Sequence, residues 1–80
     1  MHELGVLKHA IKTVDNVATK NNIKAIKFIT LEVGTESTFV PMFFEKLFPI
    51  AIEGYPLFEH ATLKIEMVEG SGLVIKDIGY

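Results

Sequence analysis

Eighty residues with a formal charge of −2 and 49% hydrophobic side chains make one domain, and a chain of this size buries only about 60% of the surface its unfolded form exposes. Scattered Lys and Arg leave no electrostatic footprint for phosphate backbones, which argues against nucleic acid as a partner. The absence of cysteine removes disulfides, thiolate zinc sites and cysteine nucleophiles together and fits a cytosolic origin.

From Glu3 to about Lys20, the residues Leu4, Leu7, Ile11, Val14 and Ala18 recur at alternating three- and four-residue steps, which predicts an amphipathic helix. Asn21-Asn22 supplies a stop, because Asn tolerates the left-handed conformation that follows helix ends. Lys24 to Val33 changes to period two, with Ile29, Leu31 and Val33 on one face and Ile26, Phe28, Thr30 and Glu32 on the other, so a strand is expected, closed by Gly34. After a polar turn at Thr35 to Thr38, Pro41 suits a first helical turn and Met42 to about Ile52 reads as a second helix. Phe43, Leu47 and Ile50 or Ala51 form its stripe, and Pro49 should kink or split it. The helix reads as core-facing, with Phe44 and Phe48 as the members left exposed for a partner. Alternation from about Ala61 to Val68 predicts a second strand, Glu69-Gly70-Ser71-Gly72 a flexible turn, and Leu73 to Ile78 a third strand.

The order is helix, strand, helix, strand, strand. A strand–helix–strand unit prefers parallel strands, whereas the short Gly-Ser-Gly link favours an antiparallel hairpin between the last two strands. The fold class that follows is α/β (α+β), a two-layer sandwich in which two helices cover one face of a mixed three-stranded sheet. No basic-then-apolar leader and no apolar run of roughly 18 residues is present, so the chain reads as soluble and cytoplasmic. The high apolar fraction points to surface reserved for a partner or a second copy.

Chemistry concentrates at the start. The Met1 amine, the His2 amide nitrogen and a His2 ring nitrogen can close adjacent five- and six-membered chelate rings around a square-planar ion. One in-plane position is left for the Glu3 amide, the Glu3 carboxylate or a borrowed ligand. Nitrogen-rich tetragonal sites suit Ni(II) or Cu(II). Two costs oppose binding: amide nitrogens must deprotonate, and a cation sits poorly at the positive end of a helix, a field that Glu3 partly offsets. His9 lies two helical turns beyond His2, about 10 Å away at 1.5 Å per residue, and reads as a solvent-edge residue, as does His60. Glu45, Glu53 and Glu59 are separated single acids, Ser37 and Ser71 lack a nucleophile elbow, and nothing in the chain resembles an enzyme.

Met1-His2-Glu3-Leu4 leading into an amphipathic helix resembles the start of the HypA/HybF family of nickel chaperones for [NiFe]-hydrogenase maturation. The likeness extends through Lys27-Phe28-Ile29-Thr30-Leu31-Glu32-Val33-Gly34, with the family's closing Gly-Glu segment here broken as Gly34-Thr35-Glu36. It continues through Val40-Pro41 and the Phe-rich helix to Ala61-Thr62-Leu63-Lys64-Ile65-Glu66 and Val74-Ile75-Lys76-Asp77-Ile78. The resemblance implies a single nickel-binding domain over residues 1–80, a non-enzymatic metallochaperone with Met1, His2 and Glu3 as metal residues. Its implied partners are the maturation GTPase HypB and a hydrogenase large-subunit precursor. One departure is large: the family carries a zinc domain with two Cys-x-x-Cys pairs between its last two strands, where this chain has Glu69-Gly70-Ser71-Gly72. A deletion bridged by a linker and a paralogue that lost the lobe would both look like this, and no zinc is expected. The alternative reading is a protein–protein interaction or dimerisation module, a homodimer included, with a vestigial metal site.

Overall fold

The computed structural model describes residues 2–80. Its first helix, α1, runs Glu3–Lys20 and buries Leu7, Ala10, Ile11, Val14 and Ala18, the expected stripe with Ala10 widening it. The helix ends in a Schellman motif: Asn22 sits at φ 59°, its N–H donates to the Thr19 carbonyl at 3.2 Å, and the Ile23 N–H donates to the Ala18 carbonyl at 2.9 Å. Asn takes the position that glycine usually fills. The Asn21 side-chain amide adds a bond to the Val17 carbonyl at 2.7 Å.

The first strand, β1, spans Phe28–Gly34, starting four residues later than periodicity predicts. In the preceding segment the Ile26 N–H bonds to the Leu57 carbonyl of a 3-10 turn at Pro56–Phe58 rather than to a strand. That contact also draws the Ile26 side chain into the core, away from the outer face to which its parity assigned it. Ile29, Leu31 and Val33 are fully buried and form the floor of the core beneath the helices.

The second helix, α2, covers Pro41–Ala51 and runs through Pro49 without a break. Pro49 falls in the last turn, where its missing N–H costs one bond to the carbonyl of exposed Glu45, a group that water can reach. The azimuth of α2 differs from the expected one. Phe44 (0% exposed), Phe48 (7%) and Ala51 (1%) face inward, while Met42 (55%), Phe43 (46%) and Ile50 (47%) face solvent. Phe44 and Phe48 are therefore core residues and not the exposed, partner-facing pair. Small Ala51 lets the helix end approach closely, and the Phe44 ring tilts against Phe39 with centroids 5.6 Å apart.

The remaining strands are β2, Thr62–Val68, and β3, Leu73–Gly79. They do not form the predicted hairpin. The sheet order is β2-β1-β3, with β1 parallel to β2 and antiparallel to β3. The apolar β1 sequence needs the centre of the sheet, so the link from β2 to β3 passes over the exit of β1 instead of folding back on itself. Backbone N–H groups of Gly34, Thr35 and Glu36 donate to the carbonyls of Gly72, Val68 and Gly70, each at 2.8 Å. A Cβ at Gly34 would collide with the Gly70 carbonyl, and Gly70 itself sits at φ 115°, a region that other residues rarely adopt. Gly34→Ala should therefore cost about 1–3 kcal/mol, because the clash is with backbone and no rotamer relieves it. A lower urea midpoint with an unchanged slope would report it.

On the outer face, Lys76 of β3 reaches over β1 to Glu66 of β2, Nζ to Oε1 at 2.9 Å. Its pKa is raised, first by that hydrogen bond and then by the Glu66 charge. Lys64 lies 3.9 Å above the Phe28 ring. This face is mixed: Thr30 at its centre is buried, while Lys64, Glu66 and Lys76 are exposed. Among the described residues no helix is long and apolar enough to cross a membrane.

Candidate metal centre

His2 occupies the N-cap position of α1 at φ 64°, ψ 28°, makes no side-chain capping bond and is exposed. Its carbonyl accepts the first helical hydrogen bond, from Val6 N–H at 3.1 Å. Its amide nitrogen stands before the helical ladder. The first N–H groups of an α-helix have no intrahelical acceptor, so metallating the amides of His2 and Glu3 would break no bond of the ladder. Met1 lies outside the described residues.

Glu3 is placed differently from an open ligand. It is 6% exposed, and its Oε2 accepts the Val40 N–H at 2.9 Å. Val40 is the N-cap residue of α2, so the carboxylate ties together the starts of the two helices. It also sits in the first turn of α1, where a negative charge is favoured by the helix dipole. The Val40 hydrogen bond is the main cause of a Glu3 pKa below its ordinary 4.5, opposed by desolvation and helped by the residue's own backbone N–H. Such a carboxylate contributes stability above pH 4.5 that is lost as pH falls through its lowered pKa. Glu3→Gln should remove that contribution. Urea midpoints taken from pH 7 to pH 3 should differ between the two proteins at neutral pH and converge in acid.

The other histidines do not join this centre. His9 is exposed on α1, and His60 is exposed beside Glu59, Nε2 to Oε1 at 3.6 Å. Among the described residues, no three His, Asp or Glu side chains converge as a metal cage. At the head of α1 the donors on offer are backbone nitrogen and the exposed His2 ring. The Glu3–Val40 link joins residues far apart in sequence, and periodicity carries no signal for it.

Residues 1–73 match the family model described as hydrogenase/urease nickel incorporation, metallochaperone, hypA. The chain belongs to the HypA family. Among HypA relatives, the hydrogenase maturation factor HypA of Moorella thermoacetica is 39% identical over 66 residues, covering 82% of this chain and 58% of that protein. The factor of the same name from Trichodesmium erythraeum is 38% identical over 72 residues, covering 90% and 60%. The chain thus spans about three-fifths of the length of these curated relatives. The fold matches the solution structure of the Ni metallochaperone HypA from Helicobacter pylori with a TM-score of 0.77 over 96% of this chain and 72% of the other, at 21% identity.

Proposed function

We propose that this chain is a nickel-carrying domain that takes up Ni(II) at its N-terminus for insertion into [NiFe]-hydrogenase. The observation that carries the reading is the HypA family match beginning at residue 1, on a chain whose second residue is an exposed histidine at the head of a helix. The Met1 amine, the His2 amide and the His2 ring supply three in-plane nitrogens. The fourth position, opposite the His2 amide, goes to a borrowed donor. The Glu3 amide is joined to the His2 nitrogen through only two atoms and cannot stand opposite it, and recruiting the carboxylate would break its hydrogen bond to Val40. Glu3 then acts by position: it anchors the turn and places negative charge beside a cation held at the positive end of α1.

A carrier must release its cargo, and an exposed ligand set allows an incoming donor to displace one nitrogen at a time. The chain works as a non-enzymatic carrier without zinc, with HypB and the hydrogenase large-subunit precursor as its partners. The two curated relatives, both hydrogenase maturation factors, support that pathway. Since Phe44 and Phe48 are buried, any apolar docking through α2 falls to Met42, Phe43 and Ile50. The test is calorimetric titration of the untagged protein with Ni(II), expected to give about one equivalent per chain and none for His2→Ala. Undiminished binding by His2→Ala refutes the proposal.

A further inference from the structure

We infer that the free edge of β2 is a self-complementary interface through which two copies of the chain pair, antiparallel about Ile65, into one continuous six-stranded sheet. The parity of the ladder sets which backbone groups are available. Thr62 N–H donates to the Lys27 carbonyl at 3.0 Å, and the Val68 carbonyl accepts Thr35 N–H at 2.8 Å. With the unbroken register from Phe28↔Thr62 to Gly34↔Val68, the even-numbered residues of β2 point their backbone groups at β1. Leu63, Ile65 and Met67 therefore point theirs outward, where β2 is the last strand of the sheet.

A two-fold axis at Ile65 sets Ile65 opposite its copy and Leu63 opposite Met67, all in hydrogen-bonded pairs that exchange up to about six new backbone bonds. The same register sets Lys64 opposite Glu66 twice, in non-hydrogen-bonded pairs whose side chains lie closer. Glu66, already bonded to Lys76 on one side, would meet a second Lys on the other. On the helix face, Met67 is 49% exposed and Leu63 and Ile65 are only partly covered, so pairing buries apolar surface as well. A register shifted by two residues, with Glu66 or Lys64 on the axis, would set like charges against each other.

The opposite edge does not offer this. In β3 the register slips between Thr30↔Asp77 and Leu31↔Ile75, leaving Lys76 as a bulge, a device that twists and blunts an edge. β2 is regular over seven residues and contains no Gly or Pro. Charge complementarity within one strand selects a second copy as the occupant over an unrelated strand.

The experiment is light scattering across a concentration series of metal-free protein, with chelator present, so that its outcome is separate from nickel binding. A mass approaching twice 8.9 kDa is expected at high concentration. Lys64→Glu puts like charges opposite each other in both pairs and should weaken association about tenfold or more, while Lys64→Glu with Glu66→Lys and Lys76→Glu restores the complement, reversing rather than breaking the bridge to Lys76, and should recover it. Circular dichroism keeps the folded state of each variant in view. Amide exchange at Leu63, Ile65 and Met67 should slow with concentration in the unsubstituted protein, independently of any variant. A monomer at every concentration, a dimer indifferent to Lys64→Glu, or no recovery in the triple variant would overturn the inference.

Discussion

Phe44→Ala should destabilise the domain by about 3–5 kcal/mol, whereas Phe43→Ala, one position away on the same helix, should stay within about 0.5 kcal/mol. The contrast follows from burial: Phe44 is fully enclosed, while Phe43 is 46% exposed. Domains carry roughly 0.05–0.15 kcal/mol of stability per residue, so about 4–12 kcal/mol holds this chain together, and the Phe44 cavity alone removes a large share. Phe44 also packs between Phe39 and the core cluster shared by α1 and the sheet, so neighbouring side chains have little freedom to collapse into the void. Thermal and urea denaturation of the two variants side by side would measure it. A large loss at Phe43 with little at Phe44 would mean that α2 presents the face its periodicity first suggested.

That reversal marks where pattern stops being informative. The stripe of α1 was legible because charged residues occupy its other faces, so one azimuth alone buries Leu7, Ile11 and Val14. In α2, Met42, Phe43, Phe44, Leu47, Phe48, Ile50 and Ala51 surround the axis, and several orientations hide similar apolar area. Tertiary shape then decides. The link between β2 and β3 failed as a hairpin for a related reason: a Gly-Ser-Gly segment is as able to cross above a strand as to reverse direction. What selects the crossing is β1, whose inward residues are all fully buried and whose place at an edge would leave one flank open. Element types and order were visible in local period, whereas strand order depended on competition for the centre of the sheet.

The candidate metal residues divide along the same line. His2 was legible as a candidate ligand because its claim rests on covalent proximity to an amine, a feature written in the chain itself. The carboxylate of Glu3 was not legible as an anchor, since its partner, Val40, is 37 positions away. The two roles are complementary: a carboxylate fixed on α2 holds the helix start still while the residue before it stays exposed.

Acetylating the N-terminal amine should abolish tetragonal nickel binding as completely as His2→Ala, each weakening uptake by roughly a hundredfold or more, since loss of mere outer-shell support already costs 10–100-fold at metal sites. Acetylation removes the amine's lone pair without substituting any side chain, and circular dichroism reports whether the fold persists, so a loss of binding with the fold intact would fall on the chelate rather than on stability. The proton balance gives a second signature. An ion bound through deprotonated amide nitrogen releases protons on uptake, so affinity should climb with pH and the calorimetric heat should vary with the ionisation enthalpy of the buffer. A site built from His2, His9 and carboxylates would behave otherwise: it would survive acetylation and release few protons above the histidine range. Separate positions for His9 and His60, and a Glu3 carboxylate engaged by Val40, favour the chelate. Binding that outlasts acetylation with no proton release would transfer the nickel site to side chains elsewhere on the domain.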